Sequence, residues 1–204
     1  KKFCPSKPLE PYEKMFDAAR ELGLQRAMTF IVGMGETKED LPLLKVFIKK
    51  YDLQKIHIYS LIPQEGTMFE HAPVPTKEEQ AWWIAQLRIA CPTLDIQCGI
   101  WEDRVERTAF LLQAGANSVS KFKALKLFGT ETAQEIERQA ALAERTFHGT
   151  LTVLPDIDWD AEVDKLSFGT ELKERMKKKM HEYLKGMKKN CLCVVKYSIS
   201  AEKL

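Results

Sequence analysis

The chain has 204 residues, 45% of them hydrophobic and 29% charged, the make-up of an ordinary globular protein with room for one sizeable core, or for one domain and an appendage. A net charge of +2 gives no global attraction to nucleic acid or to a membrane surface, so neither is an expected partner. No apolar run approaches the roughly 20 residues that span a bilayer, and the five cysteines, at Cys4, Cys91, Cys98, Cys191 and Cys193, lack CxxC spacing, which argues for a cytoplasmic location without disulfides or a closed zinc site.

The sequence opens without methionine, in "KKFCPSKPLEP", which has no leader-like apolar stretch and reads as a connecting loop, so a fragment of a longer protein is expected. From Pro8 to Gly23 the spacing predicts an amphipathic helix with Met15, Phe16, Ala19 and Leu22 on one face and Gly23 as its stop. "RAMTFIVG", Arg26 to Gly33, is a short apolar run that predicts a strand buried on both faces. In "TKEDLPLLKVFIKKYDL" the residues Leu43, Leu44, Phe47 and Ile48 follow helical spacing. Thr37 and Asp40 suit a capping box, with Pro42 slightly late for it.

"KIHIYSLIP" predicts a second buried strand. The stretch from Thr76 predicts a helix with an apolar face of Trp83, Ile84, Leu87 and Ile89. "LDIQCGI" is a shorter strand, "VERTAFLLQAGA" a helix stopping at Gly115, and "NSVSKF" a last short strand. Strands alternating with helices imply right-handed crossovers and a parallel sheet. After Phe122 the pattern changes to a helix in "TETAQEIERQAALAERTF", an irregular stretch, a basic helix from Glu171 to Asn190, and a tail that reads as a strand or a frayed end. Residues 1–122 and 123–204 are therefore the expected domains. The basic helix carries Leu172, Met176, Met180, Tyr183, Leu184 and Met187 on a rough stripe, which predicts a docked seam under solvated lysines or a face for an acidic partner domain.

Ligands of parallel sheets collect where strands end at their carboxyl side. Gly33 and Gly35 in "IVGMGET" stand at one such end, and "YSLIPQEGT" stands at the next, with Tyr59, Gln64, Glu65 and Thr67 beside the apolar Leu61 and Ile62. Each is a ligand loop or an ordinary glycine turn. "GMGE" lacks both the third glycine of a dinucleotide site and the Lys-Ser/Thr of a P-loop. A third stretch, "LLQAGANSVSKF", reads as a helix stop before a short strand. His57, alternating with apolar neighbours, reads as a hydrogen-bonded histidine rather than a base, Cys98 as a small core residue, and Cys191 and Cys193 as a CxC pair without further ligands nearby.

"IVGMGET", "QEGT" and "QAGANS", in this order over Pro8 to Phe122, resemble the later half of radical S-adenosylmethionine enzymes of the biotin synthase and lipoyl synthase type. The resemblance implies an α/β fold, the C-terminal portion of a partial (βα) TIM-like barrel with a helical, basic C-terminal extension. It implies S-adenosyl-L-methionine and a [4Fe-4S] cluster as cofactors. The activity implied is sulfur insertion into an unactivated C–H bond, with methylation or rearrangement as rivals. Ile31, Gly33, Gly35, Glu36, Leu61 and Ile62 match the positions that contact or brace around the adenosine, while Thr29 replaces the first glycine of that pattern.

The implied partners are a small-molecule or carrier-protein-bound substrate and an electron donor such as ferredoxin or flavodoxin. The CxxxCxxC loop that binds the cluster is absent from this chain, so its ligands are expected upstream and the chain is not expected to act alone. Ala27 and Ile100 stand where biotin synthase would carry a cysteine and an arginine of its auxiliary cluster, which disfavours biotin synthesis. "FCPSKP" fits an archaeal branch in which Cys4 would lie near the substrate, as an auxiliary-cluster or sulfur-handling residue or as a free thiol. A non-catalytic half-barrel interaction module is the reading from another class. If the chain is a fragment, its first strand lacks the neighbour that the missing strands would supply, which predicts an exposed edge and a poorly soluble polypeptide.

Overall fold

Short apolar runs and longer amphipathic ones alternate along the first 120 residues, and each finds its element in the computed structural model, which describes residues 7–201 and their side chains as far as Cys191. The strands are β1 (Ala27–Val32), β2 (Lys55–Ser60), β3 (Asp95–Gly99) and β4 (Ser118–Ser120), all parallel in the order β1-β2-β3-β4. Helices α1 (Leu9–Glu21), α2 (Leu41–Lys50), α3 (Lys77–Ala90) and α4 (Thr108–Gln113) alternate with them. The result is an α/β sheet of partial-barrel type that does not close, with no further strand beside β1 or β4 among the described residues.

Period-two alternation separates the faces of the sheet. Ile56, Ile58, Ile96 and Cys98 are fully buried, together with Ile84 and Leu87 of α3 and Leu111 of α4. Each such aliphatic side chain contributes on the order of 2 kcal/mol by leaving water. Phe30 packs its ring 4.8 Å from that of Trp83. The buried Gln80 of α3 donates to the carbonyls of Ile58 (3.0 Å) and Gly99 (3.2 Å), tying the helix to both central strands. The opposite face carries Thr29, His57, Tyr59, Gln97, Ser118 and Ser120, none of them fully buried.

Two helix starts follow the capping rules. Thr76 begins α3, with its N–H donated to Glu79 (2.7 Å) and its hydroxyl accepting from the Glu79 N–H (3.2 Å). At Thr37 the N–H is held by Asp40 (2.8 Å), but the box opens a 3-10 turn, Lys38–Asp40, and α2 begins only at Leu41. Pro42 thereby falls in the first helical turn, where its missing N–H costs nothing.

Several expectations are corrected. β1 is not buried on both faces: it lies at an edge, with one strand neighbour, and Ala27, Thr29 and Ile31 are exposed. In α1 only Phe16 is buried, set between the rings of Phe47 (5.9 Å) and Tyr51 (5.3 Å), while Met15 and Leu22 face solvent because nothing described covers that side. Leu43 and Ile89 are likewise exposed, one position off the buried stripes of α2 and α3.

One compact unit ends at Lys121 and a second begins at Phe122. The second consists of α5 (Ala124–Leu127), α6 (Glu131–Leu142), α7 (Trp159–Asp164) and α8 (Thr170–Ala201), with α5 and α7 packed on α8. The stretch expected to be irregular contains α7, capped by Asp158, whose carboxylate accepts from Asp160 (3.1 Å) and Ala161 (3.0 Å). The tail is neither strand nor frayed end as far as Ala201, because α8 continues through it. Glu137 of α6 holds the loop at 150–152 through the Thr150 and Thr152 hydroxyls (2.8 Å each) and the Leu151 N–H (2.5 Å).

Candidate functional site

The turn after β1 is built around a carboxylate. Glu36 accepts from the N–H of Gly33 (2.6 Å) and of Met34 (2.9 Å), so the acid three residues on fixes the strand-to-helix corner. Gly33 (φ +99°) and Gly35 (φ +98°) both sit in the region that favours glycine. At Gly33 space matters as well, since an added Cβ would stand 2.5 Å from Pro75 Cγ and 3.2 Å from Leu61 Cβ. Leu61 is buried there, its N–H donated to the Val32 carbonyl (2.8 Å), and Ile62 is half-buried. Gly33, Glu36 and Leu61 thus form one knot at the carboxyl end of β1 and β2. Ile31 is exposed on the open face just before it, and Gly35 is exposed on the turn.

Across that open face the register sets Ile31 beside Tyr59 and Gly99 beside Ser120. Gly99 is what lets the layer form: an added Cβ would lie 2.1 Å from Tyr59 Cδ1, so the ring leans over β3 in its place. The phenol oxygen reaches Ser120 Oγ (3.3 Å) and stands 3.2 Å from His57 Nδ1. Burial pushes the His57 pKa below its usual value, and the Lys55 and Lys121 ammonium groups push it further, against an opposite pull from Asp95. The imidazole is therefore neutral at pH 7. The Lys121 ammonium lies 4.9 Å from the Tyr59 ring centroid and 5.0 Å from that of Trp101. The face grades from apolar at Ile31, through an aromatic, to hydroxyl and cation at Ser120 and Lys121.

No family model matches the chain. Over 133 residues it is 31% identical to the biotin synthase of Alkaliphilus metalliredigens, covering 64% of this chain and 40% of that protein. Over 130 residues it is 30% identical to the biotin synthase of Nitratidesulfovibrio vulgaris strain DP4, covering 63% and 36%. The chain is similar to biotin synthases. It is also 37% identical over 155 residues to an uncharacterized protein of Methanocaldococcus jannaschii, covering 76% of this chain and 43% of that one. The chain thus spans about two-fifths of the length of the curated relatives it matches.

The third stretch takes a different place from the first two. In "QAGANS", Gly115 (φ +113°) makes room for Arg88 of α3, whose Cγ would lie 2.8 Å from an added Cβ. Arg88 donates to the Gly115 carbonyl (3.0 Å) and to the Asn117 side chain, which also accepts the Ile96 N–H (2.9 Å). These contacts sit at the amino end of β3 and β4, the end away from the turns at Gly33 and Leu61, and they make the motif a bracket between helix and sheet. Ala27 is exposed at the start of β1, and Ile100 is buried after β3.

Among the described residues no group of three His, Cys, Asp or Glu side chains could hold a metal. Cys98 is a core residue, its Sγ 3.4 Å from the Ser118 carbonyl, and burial pushes its thiol up to about 12. Cys191 donates to the Thr152 carbonyl (3.1 Å), whereas Cys4 and the Cys193 side chain lie outside the described residues. No described helix is long and apolar enough to cross a membrane. Ser120, Lys121 and Trp101 were not singled out by the sequence. The polar residue at every second position could have found Ser120, in phase with Ser118 on β4, whereas Trp101 and Lys121 follow their strands and left no such trace.

Proposed function

We propose that this chain supplies the later βα units of a radical S-adenosylmethionine enzyme that inserts sulfur into an unactivated C–H bond. The similarity to several biotin synthases over about two thirds of the chain carries this reading. Ile31, Gly33, Gly35, Glu36, Leu61 and Ile62 would hold the nucleoside. The fit rests on Ile31, apolar and exposed at a strand edge, beside a corner that Glu36 locks in one geometry. The described residues do not fit a [4Fe-4S] cluster, whose ligands this reading assigns to a part of the protein outside this chain. S-adenosylmethionine, when bound, supplies hydrogen-abstracting radical chemistry. The chain's own work is orientation, through the Glu36-locked turn, and presentation of the graded Ile31-to-Lys121 face to substrate.

Ala27 and Ile100, in place of cysteine and arginine, favour a product other than biotin. A carrier-protein-bound or small-molecule substrate and a ferredoxin or flavodoxin donor complete the proposal. Its test is anaerobic reconstitution of the full-length gene product with iron and sulfide, followed by an iron count and an assay for 5′-deoxyadenosine. Four irons per cluster and 5′-deoxyadenosine are the expected results. If neither iron nor 5′-deoxyadenosine is found, the proposal fails.

A further inference from the structure

Along α8 the stripe of Met176, Met180, Leu184 and Met187 recurs at helical spacing, and the second unit covers only part of it. Leu184 is buried, while the three methionines stay half-buried on the floor of an open trench of about 500 Å³, walled by Phe128, Leu154 and Trp159. From Met176 to Met187 that floor runs about 16 Å, or roughly three helical turns. A second recess, of about 440 Å³, shares Trp159 and Leu184 as walls and is lined by His181, Lys185, Lys188 and Lys189. The charges that line the two are of one sign, with no aspartate or glutamate in either wall among the described residues. Lys179, at the rim of the trench, is paired with Glu182 (2.8 Å), and His181 with Asp160 (2.9 Å). Lys185, Lys188 and Lys189 are exposed and meet no carboxylate among the described residues.

We propose that the trench takes an acidic amphipathic helix of a partner protein, its apolar face on the methionines and its carboxylates toward Lys185, Lys188 and Lys189. Methionine side chains, unbranched and polarisable, mould to an apolar helix face, and a groove of this length takes residues at i, i+4 and i+7. Because the two recesses share walls, a helix lying in one presents its flank to the lysines of the other. Charge and shape decide between occupants. A second copy of this chain would set α8 lysines against lysines, and like charges so placed repel. An anionic membrane has the right sign, but a flat bilayer takes up apolar side chains that protrude. Here they lie half-buried below a rim, where a helix can enter and a bilayer cannot. The trench belongs to the second unit and needs no radical chemistry, so an absence of 5′-deoxyadenosine would leave it standing.

The test is titration of the full-length gene product, without cluster or S-adenosylmethionine, into a fluorescently labelled synthetic peptide of about four helical turns, with leucine at i, i+4 and i+7 and glutamate elsewhere. Its twin carries lysine for every glutamate. Anisotropy should show the glutamate peptide bound at least about tenfold more tightly than the twin, and more weakly as salt is raised. Reversing the exposed charges, Lys185→Glu with Lys188→Glu and Lys189→Glu, leaves the packed face of α8 alone and should cost the glutamate peptide about tenfold or more in affinity. Met180→Glu, which places a charge on the trench floor, should cost a similar factor, with circular dichroism as the check on folding. The charge-reversed variant decides alone if Met180→Glu fails to fold. Vesicles of phosphatidylglycerol should not displace the peptide. No binding of the glutamate peptide, equal binding of the twin, undiminished affinity in the charge-reversed variant or in folded Met180→Glu, or displacement by the vesicles overturns the proposal.

Discussion

Replacing Gly33 by alanine separates the two reasons for a glycine at the end of β1. The first is conformational. At φ +99° an L-residue is strained, at a cost of roughly 1–2 kcal/mol. The second is steric. The new Cβ would meet Pro75 Cγ at 2.5 Å and Leu61 Cβ at 3.2 Å, and relieving such overpacking costs about 1–3 kcal/mol. Gly33→Ala should therefore cost about 2–5 kcal/mol, a large share of the roughly 5–15 kcal/mol that holds a domain folded. Gly66→Ala is the matched control, since φ is +75° and nothing lies within 4 Å of an added Cβ, so only the first cost of roughly 1–2 kcal/mol applies.

Urea unfolding followed by tryptophan fluorescence reads the difference, because Trp83 is buried against Phe30 in the same unit. Adding Pro75→Ala closes a double-mutant cycle in which the proline ring should be worth about 1–3 kcal/mol of coupling. If Gly33→Ala costs no more than Gly66→Ala, or if the coupling falls below about 0.5 kcal/mol, the contact with Pro75 is not what demands a glycine there.

Glu36→Ala should release the amides of Gly33 and Met34, with hydrogen exchange faster by about tenfold or more at those two positions, and an unchanged exchange rate would remove the carboxylate from the turn. For Glu137, burial raises the pKa, yet bonds from Leu151, Thr152 and Thr150 outweigh it and hold the carboxyl below its ordinary value. Its contribution is present above the unfolded pKa and is lost as pH falls through the lower, folded one, so acid unfolding of the second unit should flatten in Glu137→Gln; identical acid profiles would contradict this. With its thiol pushed up to about 12, Cys98 should resist iodoacetamide at pH 8 in the folded chain and react once urea unfolds it, and mass spectrometry of the labelled peptide would show the opposite if the strand were mobile.

The alternation of helices and strands was legible because period and length agree in each element, as in "KIHIYS", where buried isoleucines alternate with His57 and Tyr59. That same alternation announces a polar face, yet it does not say that Gly99 yields its place to Tyr59, since the space is made by a residue 40 positions away. β1 read as buried on both faces because "MTFIV" is apolar but for Thr29; only strand order reveals that it is an edge. "QAGANS" read as a helix stop before a short strand, and its bracketing of helix to sheet stayed hidden because a sequence orders motifs along the chain and not by the end of the sheet they occupy. Asn117 lies before its strand and Gly33 after its own, which puts the two motifs at opposite ends of the sheet. α7 escaped because six residues give too little periodicity, although Asp158 was in place to cap it.

Gln80 carries a mechanical consequence. One buried amide group grips the main chain of β2 at Ile58 and of β3 at Gly99, the residues that flank and face the Tyr59 ring. Pressure on that ring from the open side is passed at once through two carbonyls into the middle of the sheet and on to α3, whose first turn also carries the Thr76 cap next to Pro75 and Gly33. The floor beneath Tyr59 is consequently stiff, braced from behind like a panel on a strut, and a molecule that fits it badly has to bend itself.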